Sequence, residues 1–361
     1  MTALRVALVG YGLAGRVFHA PLVAAAAGLE LACVVTCDPD RQGQARADQP
    51  GVRVVTTTGE LLDDPASFDL LVVAATNDVH APIARAAVEL GKAVVVDKPL
   101  AITAAQARDL VESAEAARVP LTVFQNRRWD SDLLTLRRLV AAGTLGTVLR
   151  FESRFERWRP QPRKDSWREA LPASAGGGLL LDLGSHLVDQ ALFLFGPVAR
   201  IYAEVDARRG VSDDDVFVAI EHASGVRSHL WAGALAGSPG PRLRVLGSRA
   251  AYVVEALDGQ EDVLRATGHL PVGGLQVPAA GYGQLVRGDA REPVVSERGR
   301  WDLFYPAMAA AVRGDRAVPV DPTDAVRTLE VIEAARLSAA EHRVLAPVSY
   351  THLTLPTNRE V

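Results

Sequence analysis

The chain has 361 residues, 48% hydrophobic and 23% charged, values that suit a globular protein of about two domains. Its net charge of −4 and pI near 6.1 argue against nucleic acid or an anionic membrane surface as partner. No apolar run approaches the roughly 18 residues of a membrane span.

Met1 leads through Arg5 directly into the strand LRVALVG, which leaves no room for a signal peptide. LAGRVFHAPLVAAAA is a helical stretch that Pro21 should kink or split. LELACVVTC is a second strand carrying both cysteines. At ~3.3 Å per residue Cys33 and Cys37 stand about 13 Å apart, beyond the ~7 Å of a disulfide. They read as small core residues in a reduced compartment, and the expected location is cytoplasmic. DPDRQGQARADQ reads as turn then helix, FDLLVVAAT as an apolar strand and HAPIARAAVELG as a helix. KAVVVDKP is a strand, TAAQARDLVESAEAAR a helix ended by Val119-Pro120, and LTVFQN a fifth strand. Near-continuous apolar strands separated by helices predict an α/β fold with a Rossmann-type doubly wound parallel sheet over 1–122.

The pattern then changes. The helix SDLLTLRRLVAAG leads into alternating strands: TVLRFESRFERW, ARIYAEVDA, VFVAIEH, VRSHLWAG, RLRVLGS and AAYVVEA. They predict an α+β domain over 123–347 with a large, mostly antiparallel sheet, one face on helices. The other face is free for association, so a homodimer or homotetramer is expected. A last helix, DPTDAVRTLEVIEAARLSAAEHR, has amphipathic spacing and a capping DPTD start. Residues 348–361 are polar and Thr-rich, unlike the text before them, and read as a non-native tail of adaptor or vector origin.

VALVGYGLAG places Gly10, Gly12 and Gly15 in G-x-G-x-x-G spacing between a strand and a helix. The first glycine permits the tight turn, the second lets backbone approach a pyrophosphate, and the third allows close packing. Tyr11 and Leu13 fall within the same loop. At the end of the second strand, Asp38 would serve the ribose of NAD, whereas Thr36 and Arg41 would serve the 2′-phosphate of NADP. Cys37 competes with Asp38 for the selecting position, so the reading there is mixed.

GGGLLLDLGSHLVDQALFLFG reads as a buried helix with Asp182, His186 and Asp189 at i, i+4 and i+7, on one stripe of one face. Buried polar groups of this kind are costly unless paired or used. A metal is one use of an Asp/His pair, but no second histidine or cysteine is near in sequence, and the reading is of no metal.

With AATNDVHAPIARAAVELGKAVVVDKPLA and GGGLLLDLGSHLVDQ, the chain resembles the Gfo/Idh/MocA oxidoreductases over about 1–345. The family's E-K-P is Asp97-Lys98-Pro99 here, its D-x-x-x-H pair is Asp182 and His186, and its A-T-x-x-x-x-H stretch is Ala75-Thr76 through His80. QNRRWDSD, ERWRP, GPRLRVLGS and DGQEDVLRATG look like the branch of NADP-dependent scyllo-inositol dehydrogenases. The resemblance implies reversible oxidation of a ring hydroxyl of a polyol or sugar, with NADP preferred over NAD.

Such chemistry needs a base, a donor to the developing alkoxide and a hydride acceptor. The resemblance implies His186 as base, Lys98 as donor and Asp182 as the group that orients the imidazole ring or binds a neighbouring hydroxyl. It also puts Thr76, Asn77, His80, Asp97, Lys98 and Asn126 beside the cofactor. The substrate is expected to meet Lys98, Asn126, Arg128, Trp129, Trp158, Arg159, Asp182 and His186, with Arg127 nearby. Each has a plain alternative: a solvated strand-end lysine, a satisfied core histidine, an exposed charged strand. Asp189 reads mainly as a structural partner, and His19 lies near the cofactor without a catalytic role. Two other functions stay open: a catalytically silent dinucleotide-binding regulator, or a reductase of an imine, dihydrodiol or tetrapyrrole.

Overall fold

The structure is a computed structural model that describes residues 2–163 and 166–346, so the expected tail lies outside the described residues. Six strands come first: β1 Leu4–Val9, β2 Leu29–Val35, β3 Arg53–Val55, β4 Leu70–Val73, β5 Ala93–Asp97 and β6 Leu121–Phe124. They form one parallel sheet in the order β3-β2-β1-β4-β5-β6. Every residue of β4, β5 and β6 is buried, as a sheet covered on both faces requires. The order reverses between β1 and β4, and the strands' carboxyl ends open a crevice there. β3 adds to the five expected strands; three residues at a sheet edge are too short to show a period.

Pro21 does reshape its helix. Ala14–His19 winds as a π-helix and Ala20–Ala25 as an α-helix, with Pro21 in its first turn, where a missing N–H costs little.

Eight further strands follow: β7 Val148–Glu156, β8 Val198–Asp206, β9 Asp215–His222, β10 Arg227–Gly233, β11 Leu243–Gly247, β12 Ala251–Val254, β13 Gln284–Arg287 and β14 Ala290–Pro293. They pair in the order β14-β13-β12-β11-β7-β10-β9-β8, antiparallel except between β7 and β10. Val216, Val218 and Ile220 of β9 are buried, while Phe217, Ala219 and Glu221 between them are partly exposed. One face therefore lies on helices, chiefly Gly184–Phe195 and Pro322–Glu341. β13 and β14, polar and largely exposed, carry no pattern that sequence reasoning could have used.

Helix Pro322–Glu341 starts as expected, with Asp321 accepting from the Thr323 N–H at 2.9 Å. It packs on β8 and helix Gly184–Phe195, and also on β6 and helix Ala104–Ala117 of the first sheet. Just before it, the Thr122 hydroxyl on β6 donates to the Val320 carbonyl (2.7 Å) and accepts from the Val320 N–H (3.2 Å). Among the described residues no helix is long and apolar enough to cross a membrane.

Thr122→Val keeps the shape and leaves both Val320 groups buried without a partner. We expect a loss of about 1–3 kcal/mol, read as a lower urea midpoint at unchanged slope. A loss below about 0.5 kcal/mol would show the link to be idle.

Candidate active site

β1 runs into Gly10 at φ +95°, a conformation that favours glycine. A Cβ on Gly10 would strike the Ala74 carbonyl, and one on Gly15 would strike the Gly10 carbonyl. Above Gly12 the space is open save for Arg41 Nη1, 3.8 Å from an added Cβ. The loop is thus close-packed below and bare above, and no side chain caps the helix that follows. That cradle fits the pyrophosphate of a dinucleotide. Leu13 projects toward the cleft. Tyr11 turns away: its ring is buried and its hydroxyl donates to Asp48 at 3.2 Å, so only its backbone belongs to the loop.

Past β2, Thr36 is buried and Cys37 is exposed; both cysteines are free thiols, and Cys37 lies beyond the strand expected to hold it. Asp38 caps helix Pro39–Asp48, accepting from the Asp40 and Arg41 N–H groups at 2.9 and 3.2 Å. Arg41 Nε stands 3.4 Å from the same carboxylate. Thr76 precedes helix Asn77–Glu89 beside the glycine loop and leaves that helix start without a side-chain cap.

Lys98 follows the last residue of β5. Its ammonium donates to the Asp182 carboxylate (2.7 Å) and to the Asp182 carbonyl (2.8 Å). The carbonyl is available because the expected single helix is broken. Leu179–Asp182 is one turn, Gly184–Phe195 is a second helix, and the His186 N–H reaches back to Leu183 rather than to Asp182. Gly178, at φ +95°, begins the first turn, and a Cβ there would overlap the Asp213 carboxylate that accepts from the Leu180 N–H. Burial pushes the Asp182 carboxyl up, but Lys98 and Arg168 outweigh it and hold it at about 2. Two of the three ammonium N–H groups of Lys98 are taken and one remains for a ligand.

His186 places Nδ1 3.1 Å from Gln125 Oε1. Burial, then the charges of Lys98, Arg127 and Arg242, hold its pKa well below the usual imidazole value. It is therefore neutral, with Nδ1–H donating to Gln125 and the Nε2 lone pair left to take a proton. Asp97, Lys98, Asn126, Asp182 and His186 border one cleft of about 400 Å³, a size suited to a small ligand.

Residues 4–125 match the model of the oxidoreductase family with an NAD-binding Rossmann fold, and residues 133–253 match the GFO/IDH/MocA C-terminal domain. YdgJ of Escherichia coli (strain K12), an uncharacterized oxidoreductase, is 41% identical over 94% of this chain and 97% of its own length. The chain belongs to the Gfo/Idh/MocA family. It is an oxidoreductase-family protein whose first domain binds a nicotinamide dinucleotide. The scyllo-inositol 2-dehydrogenase (NADP(+)) IolW of Bacillus subtilis (strain 168) is 33% identical over 95% of each chain. A solved oxidoreductase structure from Yersinia pestis superposes with a TM-score of 0.88 at 37% identity, covering 97% of this chain and 99% of that one.

Several expected contacts are spent elsewhere in this member of the family. Arg128 is buried in a bidentate pair with Asp189 (2.6 and 2.9 Å), reaches Asp324 at 3.0 Å and stacks on Phe193. It does not border the cleft, and neither does Asp189, so the polar stripe divides: Asp182 to Lys98, His186 to Gln125, Asp189 to Arg128. Trp129 packs edge-on against Phe304, and Trp158 is 63% exposed beyond the strand end; neither borders the cleft. Asn77 is buried and donates to the Gly176 carbonyl at 2.8 Å, tying the two halves together. His80 is buried between the Pro99 and Ala75 carbonyls (2.8 and 3.2 Å), where burial lowers its pKa, so it buttresses the Lys98 turn. His19 meets the Tyr305 hydroxyl at 2.6 Å and lies 3.7 Å from the Asp97 carboxylate.

Arg159 and Arg127 do border the cleft, Arg159 paired with Glu169 and Arg127 with Asp130. Sequence reasoning missed Gln125, Phe155, Arg157 and Arg168, all of which shape the site. Strand alternation was the usable signal for two of them: Phe155 and Arg157 share a face, and Trp158 does not.

Arg128→Met strands a buried carboxylate at Asp189. It should cost about 3–5 kcal/mol of stability, measured by denaturant unfolding. A variant of unchanged stability with a raised substrate KM would restore Arg128 to the substrate site.

Proposed function

We propose that this protein oxidises a secondary hydroxyl of an inositol-like polyol or sugar, reversibly, with NADP(H) preferred over NAD(H). The observation that carries the reading is the pairing, in one cleft, of a neutral buried imidazole with an ammonium that keeps a free N–H. The bound nicotinamide supplies the hydride acceptor. His186 Nε2 takes the hydroxyl proton, and Lys98 donates to the same oxygen as negative charge grows on it. Asp182 fixes Lys98 by two acceptors on one residue, and Gln125 fixes the tautomer of His186. Asn126 lies beside them, where substrate meets cofactor.

The preference for NADP rests on Asp38 and Arg41. The Asp38 carboxylate is engaged in capping, while the Arg41 guanidinium leans over Gly12, where it can meet a 2′-phosphate. The name of IolW points the same way. A homo-oligomer formed through the helix-free face of the second sheet belongs to the same proposal. That face carries Phe217 and Trp231 with ring centroids 5.2 Å apart.

Lys98→Met and His186→Asn should each lower kcat on inositols and sugars by about 100-fold or more while still binding NADP, checked by fluorescence titration. Wild-type turnover retained in both would refute the assignment. A base must be neutral to act, and the pKa of His186 is depressed. We therefore expect kcat/KM for oxidation to stay level as pH falls through 6.5 and to drop only well below it. A midpoint at or above 6.5 would contradict the neutral imidazole.

A further inference from the structure

Seven cationic side chains border the cleft against five carboxylates, although the whole chain carries a net charge of −4. The carboxylates are already committed. Asp182 holds Lys98 and Arg168 (2.7 and 3.3 Å), Glu169 holds Arg159 and Arg209 (3.3 and 3.2 Å), and Glu261 holds Arg265 and Arg127 (2.6 and 3.5 Å). Glu156 lies 3.7 Å from Arg154 and accepts from the Gly240 N–H, and Asp97 accepts from the Lys98 N–H.

Arg157 and Arg163 are left over, and of the two Arg163 is exposed to solvent whereas Arg157 is half-buried. Among the described residues no carboxylate lies within 4 Å of Arg157, and its Nε is buried with no acceptor. It follows Phe155 on the same face of β7's continuation, and Phe155 meets the His186 ring at 6.2 Å. The backbone of Arg157 is fixed on both sides, its N–H donating to Gly233 and its carbonyl accepting from Ala236. Burial and then neighbouring Arg159 lower its pKa, so the environment disfavours its charge. A half-buried guanidinium that feels Asp182 and Glu169 only at a distance and has no anion in contact carries a standing cost in the free protein, and a neutral polyol offers it only hydroxyls.

We propose that the substrate carries an oxyanion, a carboxylate or phosphate, on a carbon remote from the reacting hydroxyl, and that Arg157 receives it. The planar fork of a guanidinium suits either oxyanion in bidentate fashion. Reaction stays at His186 and Lys98, and Arg157 sets which end of the molecule lies away from them. This rests on the dehydrogenase reading above and adds the charge class of its substrate.

The test measures kcat/KM with NADP for myo-inositol, D-glucose, D-glucuronate and D-glucose 6-phosphate, on wild type, Arg157→Gln and Arg157→Lys. Wild type should prefer glucuronate or the 6-phosphate over glucose by at least about tenfold. Arg157→Gln should lower that ratio about 10–100-fold, and Arg157→Lys should restore part of it. The ratio is internal to each variant, so a partly folded preparation does not imitate the effect. Preference for glucuronate identifies a carboxylate site, and preference for the 6-phosphate a phosphate site. Equal use of neutral and anionic sugars, or a ratio unmoved in Arg157→Gln, overturns the anion site and leaves the dehydrogenase standing. Absence of turnover on all four overturns both.

Discussion

The ion pair between Lys98 and Asp182 joins the strand end of one domain to the helix break of the other. Both side chains are largely buried, at 12% and 18% exposure, so neither charge is tolerable alone. The pair depends on the interruption after Asp182. An unbroken helix would spend the Asp182 carbonyl on the His186 N–H, and Lys98 would have one acceptor rather than two. The glycine at 178 and the Asp213 carboxylate set where that first turn begins, so backbone permissiveness at one residue fixes a side-chain geometry four residues on.

Behind the cleft lies a second layer of paired charge. Arg127 is buried between Asp130 and Glu261 and stacks on Phe155 and Trp301. Arg242 stacks on the same Phe155, bonds Gln190 and approaches Asp132 at 3.5 Å. Burial first, and then Lys98 with these two cations, keeps His186 neutral. The same field favours negative charge on an oxygen placed beside Lys98. One arrangement of positive charge thus prepares the base and steadies the product of its action.

Much of this was legible in the sequence. Periodicity marked both sheets, G-x-G-x-x-G marked the dinucleotide loop, and Asp97-Lys98-Pro99 with Asp182 and His186 marked the cleft. Legibility failed where one sequence feature had two structural uses. Arg128 and Arg127 are adjacent and chemically identical, yet one turns into the core toward Asp189 and the other toward the cleft. Only the short helical turn at Asn126–Trp129 decides which. Trp158 drew attention through its size, while Arg157 beside it holds the inward position. Gln125 has no signal of its own beyond standing at a strand end. Asn77 and His80 were read as cofactor contacts because of where they lie in the chain, but both satisfy buried backbone carbonyls.

Helix Pro322–Glu341 has a consequence for how this chain comes into being. It rests on β6 and helix Ala104–Ala117 as well as on β8, and Thr122 receives Val320 from 198 residues away. During synthesis the first sheet leaves the ribosome long before the segment that covers part of it. Until Val320 and helix Pro322–Glu341 emerge, that apolar flank faces water, and contacts of such long range form late. The nascent N-terminal domain is therefore incomplete on that flank until a segment 198 residues further along the chain packs against it.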